Sequence, residues 1–126
     1  MDYTIRNATD ADLNGILCCL FALKKMYGST PASSLGEFTK LHNESVLNCI
    51  ASKQNVVVGA ECAEHASCGL MSCTARHVLR TPYVLGSLEE MFVHTEHRRR
   101  GLGTRLWVEA ASQMRNMSIE RVEVIT

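Results

Sequence analysis

The sequence predicts a mixed α/β fold in a single domain that spans residues 1–126. Three observations lead to this prediction. The stretch from Ser87 to Met117 has the pattern of a short apolar strand, a polar loop with two glycines and an amphipathic helix, whose apolar positions recur every three to four residues: Leu102, Leu106, Ala110, Met114 and Met117. Two earlier segments place apolar residues three to four positions apart, as in helices. Several other short runs are alternating or β-branched, which is typical of strands.

The first half of the chain predicts one strand and two helices. Tyr3 to Arg6 alternates as a short strand does. Thr9 has the position of a helix N-cap with Asp12 three residues later, and Gly28 ends that first helix. A second helix is predicted from Leu35 to Ala51. The inward residues expected on the two helices are Leu13, Ile16, Leu17, Leu20 and Leu23, then Phe38, Leu41, Val46, Cys49 and Ile50.

The second half predicts the remaining strands. Asn55 to Cys62 and Cys68 to Val78 are expected to form an antiparallel hairpin around the turn Ala63 to Ser67. Tyr83 to Val93 is the next strand and leads into the glycine-containing loop. Arg121 to Ile125 alternates as a final strand, whose uncovered edge would favour dimerisation.

The loop before the last helix has the features of an anion-binding site. Gly101 and Gly103 lack a Cβ, so a phosphate could approach the main chain where free helix N–H groups point outward. Arg98, Arg99 and Arg100 add cationic side chains suited to phosphate oxygens. The segment lacks the Lys-Ser/Thr ending of a P-loop and the three-glycine dinucleotide fingerprint. The alternative is an exposed arginine run before an ordinary helix start.

Cysteine usage predicts reduced, structural thiols. The chain has six cysteines and begins without a secretory signal, so we expect buried and inert side chains. Cys62, His65 and Cys68 have a spacing that could suit a metal, but no pair of CxxC elements accompanies them. The sequence-based expectation is therefore that the protein holds no metal.

Composition disfavours two classes of partner. Thirteen basic residues balance thirteen acidic ones, and no basic stripe or aromatic platform accompanies Arg98–Arg100, so nucleic-acid binding is disfavoured. No apolar stretch approaches the ~20 residues of a membrane span, and the polar N-terminus is unlike a signal peptide. The expected location is cytoplasmic.

The stretch LEEMFV, the loop HRRRGLG and the following helix resemble the acyl-CoA core of the GNAT N-acetyltransferase superfamily. Arg98-x-x-Gly101-x-Gly103 is similar to the R/Q-x-x-G-x-G/A signature of that family, and the opening strand and helix also resemble its start. The resemblance implies a mixed, mostly antiparallel central sheet flanked by helices. It further implies acetyl-CoA as the acetyl donor and an amine as the acceptor.

The resemblance also implies which residues form the site. Main-chain groups of Met91, Phe92 and Val93 would hold the pantetheine arm, and one backbone N–H near Met91 or Phe92 would hold the oxyanion. The pyrophosphate would lie on the loop that contains Arg98, Arg99, Arg100, Gly101, Leu102, Gly103 and Thr104. Tyr27, which follows the first helix, could line the acceptor site; the alternative is an aromatic side chain at the helix end that packs on the core.

Two carboxylates could take the proton of an ammonium substrate. Glu89 and Glu90 lie just before the pantetheine-binding residues, and strand alternation predicts that only one of them faces the acceptor. The strand resembles that of polyamine acetyltransferases, in which the first acid of the pair is the base, so Glu89 is the preferred base and Glu90 an acceptor contact. The alternative is that both are solvated. Tyr83 is a weak candidate for protonating the leaving thiolate.

The sequence departs from the family pattern at its C-terminal end. The helix with an N-x-x-A-x-x-F-Y pattern and two further strands do not follow Arg121–Ile125, so the C-terminal elements of the usual domain are missing. The preferred hypothesis is a homodimeric N-acetyltransferase acting on a small-molecule primary amine, of polyamine, aminoglycoside or amino-acid type. The alternative is a non-catalytic acyl-CoA-binding or interaction domain.

Overall fold

A computed structural model describes residues 2–28 and 32–124. In these ranges the chain forms five strands and three α-helices, close to the predicted positions. In chain order they are β1 Thr4–Asn7, α1 Leu13–Met26, α2 Leu35–Ala51, β2 Asn55–Glu61, β3 Gly69–Arg76, β4 Leu85–Val93, α3 Leu102–Asn116 and β5 Val122–Val124. Ile125, which was expected in the last strand, lies outside the described residues.

The five strands form one sheet in the order β1-β2-β3-β4-β5. All neighbours are antiparallel except β4 and β5, which are parallel. The predicted hairpin of β2 and β3 is confirmed, and so is the mixed, mostly antiparallel sheet. β5 pairs only with Gly86–Leu88 of β4, so within the described ranges the rest of that edge has no partner strand.

Each face of the sheet has its own apolar core. On one face α3 packs through four buried side chains, as its spacing predicted: Leu102, Leu106, Ala110 and Met114. On the other face α1 and α2 pack against β2, β3 and β4, with Leu17 and Phe38 at the centre. The fold therefore separates the α3 face from the face that α1 and α2 cover.

Two inward positions predicted on α2 are exposed. Leu41 is 63% exposed because it lies at the margin of the narrow stripe through Phe38 and Val46. Cys49 is exposed because it faces an open cavity between α2 and the sheet. Cys18 is also exposed, so the expectation of buried cysteines is wrong for these two thiols.

The start of α1 differs from the prediction. Thr9 precedes a 3₁₀ turn, Asp10–Asp12, and α1 begins only at Leu13. The Asp12 carboxylate accepts the Thr9 N–H at 2.8 Å and two N–H groups of Arg6, each also at 2.8 Å. Because Arg6 also donates to Glu61, these contacts fasten β1, β2 and the start of α1 together.

Within residues 2–28 and 32–124, no helix has both the length and the apolar character needed to cross a bilayer.

Candidate active site

The loop between β4 and α3 leaves open space around its glycines. Gly101 has φ 76°, a left-handed conformation that favours glycine, and it is the N-cap residue of α3. A Cβ built on Gly101 or Gly103 would meet no other atom within 4 Å. The N-terminal N–H groups of α3 therefore face open space, which the predicted anion site requires, and the site itself remains a prediction.

The three arginines of this loop have different surroundings. The Arg98 Nε donates to the Val93 carbonyl at 2.8 Å, and its guanidinium lies 5.7 Å from the centre of the Phe92 ring. Arg100 donates to the Tyr3 hydroxyl at 3.3 Å. Arg99 is exposed and has φ 63°. Two of the three cations thus brace the loop against the body of the domain.

The unpaired edge of β4 presents main-chain groups outward. The His94 N–H donates to the Cys68 carbonyl at 2.9 Å, which fixes the side of β4 that faces β3. Since main-chain groups alternate along a strand, the N–H and C=O of Met91 and Val93 point to the opposite edge, whereas those of Phe92 point to β3. An extended ligand could add to this edge as a further strand would.

A cavity of about 420 Å³ lies between α1, α2 and the sheet. Apolar residues of all three elements form most of its wall, including Ile16, Val46 and Leu70. Polar side chains lie among them: Lys24, His42, Ser45, Asn55, Ser72, Thr74, Glu89 and Glu90. Such an apolar cavity with a few polar groups is the usual form of a small-molecule site.

Both carboxylates of β4 line this cavity, which corrects the expectation that only one would face the acceptor. Ser72 is opposite Glu90 and Cys73 is opposite Leu88, so Glu89 is an extra residue in β4. This β-bulge interrupts the alternation of side chains. Glu90 is half-buried and accepts a hydrogen bond from the Ser72 hydroxyl, while Glu89 is exposed.

The two tyrosines singled out in the sequence lie elsewhere. Tyr27 is the C-cap residue of α1, is 73% exposed and is not among the residues that line the cavity. The Tyr83 hydroxyl accepts a hydrogen bond from Arg121 at 2.9 Å, at the end of the sheet remote from the glycine loop. The structure therefore does not bring either side chain to Glu89.

Two histidines near these elements had no role in the sequence-based prediction. His42 lines the cavity and stacks on Phe38, one helical turn earlier, with ring centres 4.1 Å apart. Its position four residues after Phe38 was the signal that could have revealed it. His94, directly after β4, has its Nε2 3.5 Å from the Cys19 sulfur.

The Cys19–His94 pair is uncharged near neutral pH. Burial raises the pKa of the Cys19 thiol to about 11. Burial also lowers the pKa of the His94 imidazole below its ordinary value. The pair therefore lacks the thiolate and imidazolium of a nucleophilic cysteine site.

Comparison with solved structures supports this description of the fold. The aminoglycoside antibiotic 6'-N-acetyltransferase of Acinetobacter baumannii is similar over 99% of this chain and 80% of its own, with a TM-score of 0.79 and 16% identity. Glucosamine-6-phosphate N-acetyltransferase of Arabidopsis thaliana is similar over 100% and 83%, with a TM-score of 0.73 and 18% identity. At such identities the likeness concerns the fold alone.

A second solved structure of the aminoglycoside class, from an uncultured soil metagenomic sample, contains sisomicin. It is similar over 98% of this chain and 77% of its own, with a TM-score of 0.75 and 14% identity. No curated protein sequence matches the chain significantly. The sequence profile of the acetyltransferase (GNAT) family does match, over residues 20–126, and the chain therefore belongs to the GNAT acetyltransferase family.

Proposed function

We propose that the protein is an N-acetyltransferase that transfers the acetyl group of acetyl-CoA to a primary amine of a small molecule. One observation carries the proposal. The unpaired edge of β4 leads from the carboxylates at the cavity, Glu89 and Glu90, to the open glycine loop that begins α3. A donor along that edge would bring its thioester close to the acceptor cavity.

The donor would be held mainly by main-chain groups. The pyrophosphate would lie on the loop from Arg98 to Thr104, where the start of α3 offers free N–H groups and partial positive charge. The pantetheine arm would pair with the Met91 C=O and the Val93 N–H, because the Val93 carbonyl already accepts from Arg98 and the Met91 N–H is assigned to the oxyanion. Phe92, the third residue that the sequence suggested, lies between these two. Its main-chain groups point to β3, so it would contribute by holding this part of β4 in place.

Glu89 is the proposed general base. A primary amine has a pKa near ~10.4, so at neutral pH it must lose a proton before it can attack. Glu89 lines the cavity and is exposed, whereas the Glu90 carboxylate accepts a hydrogen bond from Ser72. Glu89 would take the proton directly or through water, and Glu90 would hold the cationic acceptor.

The transfer would proceed by direct attack in a ternary complex. The amine nitrogen bonds to the thioester carbonyl carbon, and an outward N–H of Met91 would stabilise the oxyanion. The carbon–sulfur bond then breaks, the nitrogen loses a second proton, and the thiolate takes up one proton to leave as CoA. The neutral Cys19 thiol supports direct transfer over an acetyl-cysteine intermediate.

The acceptor class follows from charge and size. Two carboxylates on the wall of a cavity of about 420 Å³ suit a small cationic amine. The similar solved structures include N-acetyltransferases of aminoglycosides and of glucosamine 6-phosphate, which supports an acceptor of comparable, amino-sugar chemistry. The homodimer and the cytoplasmic location remain predictions from the sequence.

Calorimetric titration with acetyl-CoA and with CoA tests the donor site, and an amine panel then tests turnover. We expect micromolar binding of both ligands and its loss in Gly101→Glu, which adds bulk and negative charge to the loop. Gly28→Glu is the matched control, since Gly28 also has a positive φ (63°) and open space around its Cβ position. Binding without turnover on any amine would favour the non-catalytic alternative, and a folded chain that binds neither ligand would contradict the proposal.

A further inference from the structure

Four potential metal ligands from two separate loops meet on the α3 side of the sheet. Cys62, His65 and Cys68 come from the β2–β3 turn, and His97 comes from the loop that follows β4. One ligand atom of each residue lies within 4.8 Å of all the others. The sequence suggested only the first three, because His97 becomes their neighbour only when the sheet forms.

The distances in this cluster are close to those of a tetrahedral zinc site. The two sulfur atoms are 3.4 Å apart, and the His97 Nε2 is 3.0 Å from the His65 Nδ1. With typical zinc bond lengths, a regular tetrahedron separates two sulfurs by about 3.8 Å and two nitrogens by about 3.3 Å. The two sulfurs and the two nitrogens would each have to move apart by a few tenths of an ångström, and any sulfur–nitrogen pair near the 4.8 Å limit of the cluster would have to approach to about 3.5 Å.

A hydrogen bond on the far side of its ring orients His97. The Nδ1 of His97 lies 2.9 Å from the Tyr3 hydroxyl. Such an oxygen orients a ligating histidine and fixes which nitrogen faces the metal, so His97 presents its Nε2 to the cluster. The Nε2 of His65 lies 3.9 Å from a carboxylate oxygen of Glu96, which is an ion-pair distance but too long for a hydrogen bond.

The burial of the cluster suits a structural site. Cys68 and His97 are buried, with His97 only 3% exposed, while His65 remains accessible from solvent. All four positions are filled by protein atoms, as in structural zinc sites, whereas catalytic ones leave a position open. A metal here would join the β2–β3 turn to the loop that carries Arg98 and Gly101.

We propose that Cys62, His65, Cys68 and His97 form a structural Zn²⁺ site of the Cys₂His₂ type. This metal site is independent of the proposed acetyl transfer. It differs from the sequence-based expectation that the protein holds no metal. The competing descriptions are a metal-free hydrogen bond between the two histidines and a disulfide between Cys62 and Cys68.

The test uses the full chain, reduced and without a polyhistidine tag. We expect one zinc per chain by atomic emission after dialysis against metal-free buffer. Replacement by Co²⁺ should give the ligand-field bands of a tetrahedral site together with thiolate charge transfer. A folded, reduced chain that binds neither Zn²⁺ nor Co²⁺ would overturn the proposal, and so would a Cys62–Cys68 disulfide in the chain as purified.

Variants at the accessible ligands distinguish this site from adventitious binding. Cys62→Ser and His65→Asn should each lower zinc affinity by at least a hundredfold, because each removes one of four ligands. Tyr3→Phe should lower it by roughly tenfold to a hundredfold, as loss of an outer hydrogen-bond partner does. The control Cys18→Ser/Cys49→Ser removes the two exposed thiols outside the cluster and should leave affinity unchanged. Unchanged affinity in both ligand variants would overturn the assignment.

Discussion

Glu89 and Glu90 are consecutive residues of one strand, yet their side chains line the same cavity. The cause is the bulge that leaves Glu89 without an opposite residue on β3. Bulges redirect side chains and are enriched next to active sites. Here the bulge places two negative charges where the unpaired edge of β4 begins.

The first prediction separates the roles of these two carboxylates. Glu89→Gln should lower kcat/KM by about 10²–10⁴-fold, because it removes the proposed base without changing the size of the side chain. Glu90→Gln should mainly raise KM for a cationic amine and leave kcat nearly unchanged. Steady-state kinetics on the best amine of the panel measure both effects.

A matched control for this pair is Glu120→Gln, which changes an exposed carboxylate that does not line the cavity. Its kinetics should equal those of the unmodified protein. Full activity in Glu89→Gln would remove that residue from the mechanism.

The second prediction concerns how closely a phosphate approaches α3. Gly103→Val adds a side chain whose Cβ meets nothing within 4 Å in the protein, so the free energy of unfolding should change by less than about 1 kcal/mol. The family signature allows glycine or alanine at this position, so a larger side chain is used to occupy the ligand's space, and it should lower CoA affinity by about tenfold, or ~1.4 kcal/mol. Calorimetry and urea unfolding measure the two quantities.

Gly36→Val is the control, because Gly36 is the second residue of α2 just as Gly103 is the second residue of α3. It should give the same change in stability without any change in CoA affinity. If both variants bound CoA equally well, close main-chain contact at Gly103 would be excluded.

The third prediction concerns the packing of β3 against β4. A Cβ on Gly69 would lie 2.9 Å from the Phe92 carbonyl oxygen, and backbone atoms cannot move aside easily. Gly69→Ala should therefore destabilise the protein by about 1–3 kcal/mol. Gly59→Ala, whose Cβ would lie 3.9 Å from the nearest atom, should cost much less. Equal midpoints of urea unfolding for the two variants would contradict the close packing of Gly69 against β4.

The fourth prediction concerns stability in acid. Hydrogen bonds from Arg6, foremost, lower the pKa of the Asp12 carboxyl below its ordinary value of 3.8. Because this pKa is lower in the folded chain than in the unfolded chain, ionised Asp12 stabilises the folded protein at every pH above the ordinary pKa. That stabilisation is lost as the pH falls through the folded-state pKa. Asp12→Asn should cost about 1 kcal/mol at pH 7, since the pair is partly solvated.

The difference between Asp12→Asn and the unmodified protein should shrink as the pH falls below 3.8, the ordinary aspartate value. Urea unfolding at neutral pH and at several acidic values measures it. A constant difference across that range would show that Asp12 acts through packing rather than charge.

Sequence periodicity predicted most of the fold. The range of α2 was predicted to the residue, and the buried face of α3 was predicted in full, because both helices cover a sheet face and their apolar spacing reflects it. Leu41 was misassigned because an apolar residue at the edge of a helical stripe has the same spacing as one at its centre. Strand ends differed by one or two residues, as hydrogen bonding rather than composition ends a strand.

The site was harder to predict than the fold. The glycine loop is local in sequence, so its openness could be expected from Gly101 and Gly103. The bulge at Glu89 depends on the register of β4 against β3, which no spacing in a single strand reveals. For the same reason, His97 could not be predicted as a neighbour of Cys62, His65 and Cys68. The two loops that carry these residues are distant in sequence and meet only when the strands of the sheet pair.

Within residues 2–28 and 32–124 no strand pairs with the edge of β4 beyond Leu88, and this has a consequence for the lifetime of the protein. A bare strand edge can recruit the strand of another molecule and so begin aggregation. A ligand that occupies this edge would protect it and, by binding only the folded chain, would add about 2.7 kcal/mol at a hundredfold excess over Kd. Under the proposed function, a fall in the concentration of acetyl-CoA would therefore slow acetyl transfer and also shorten the lifetime of the protein. The abundance of the protein would then depend on the supply of its own substrate.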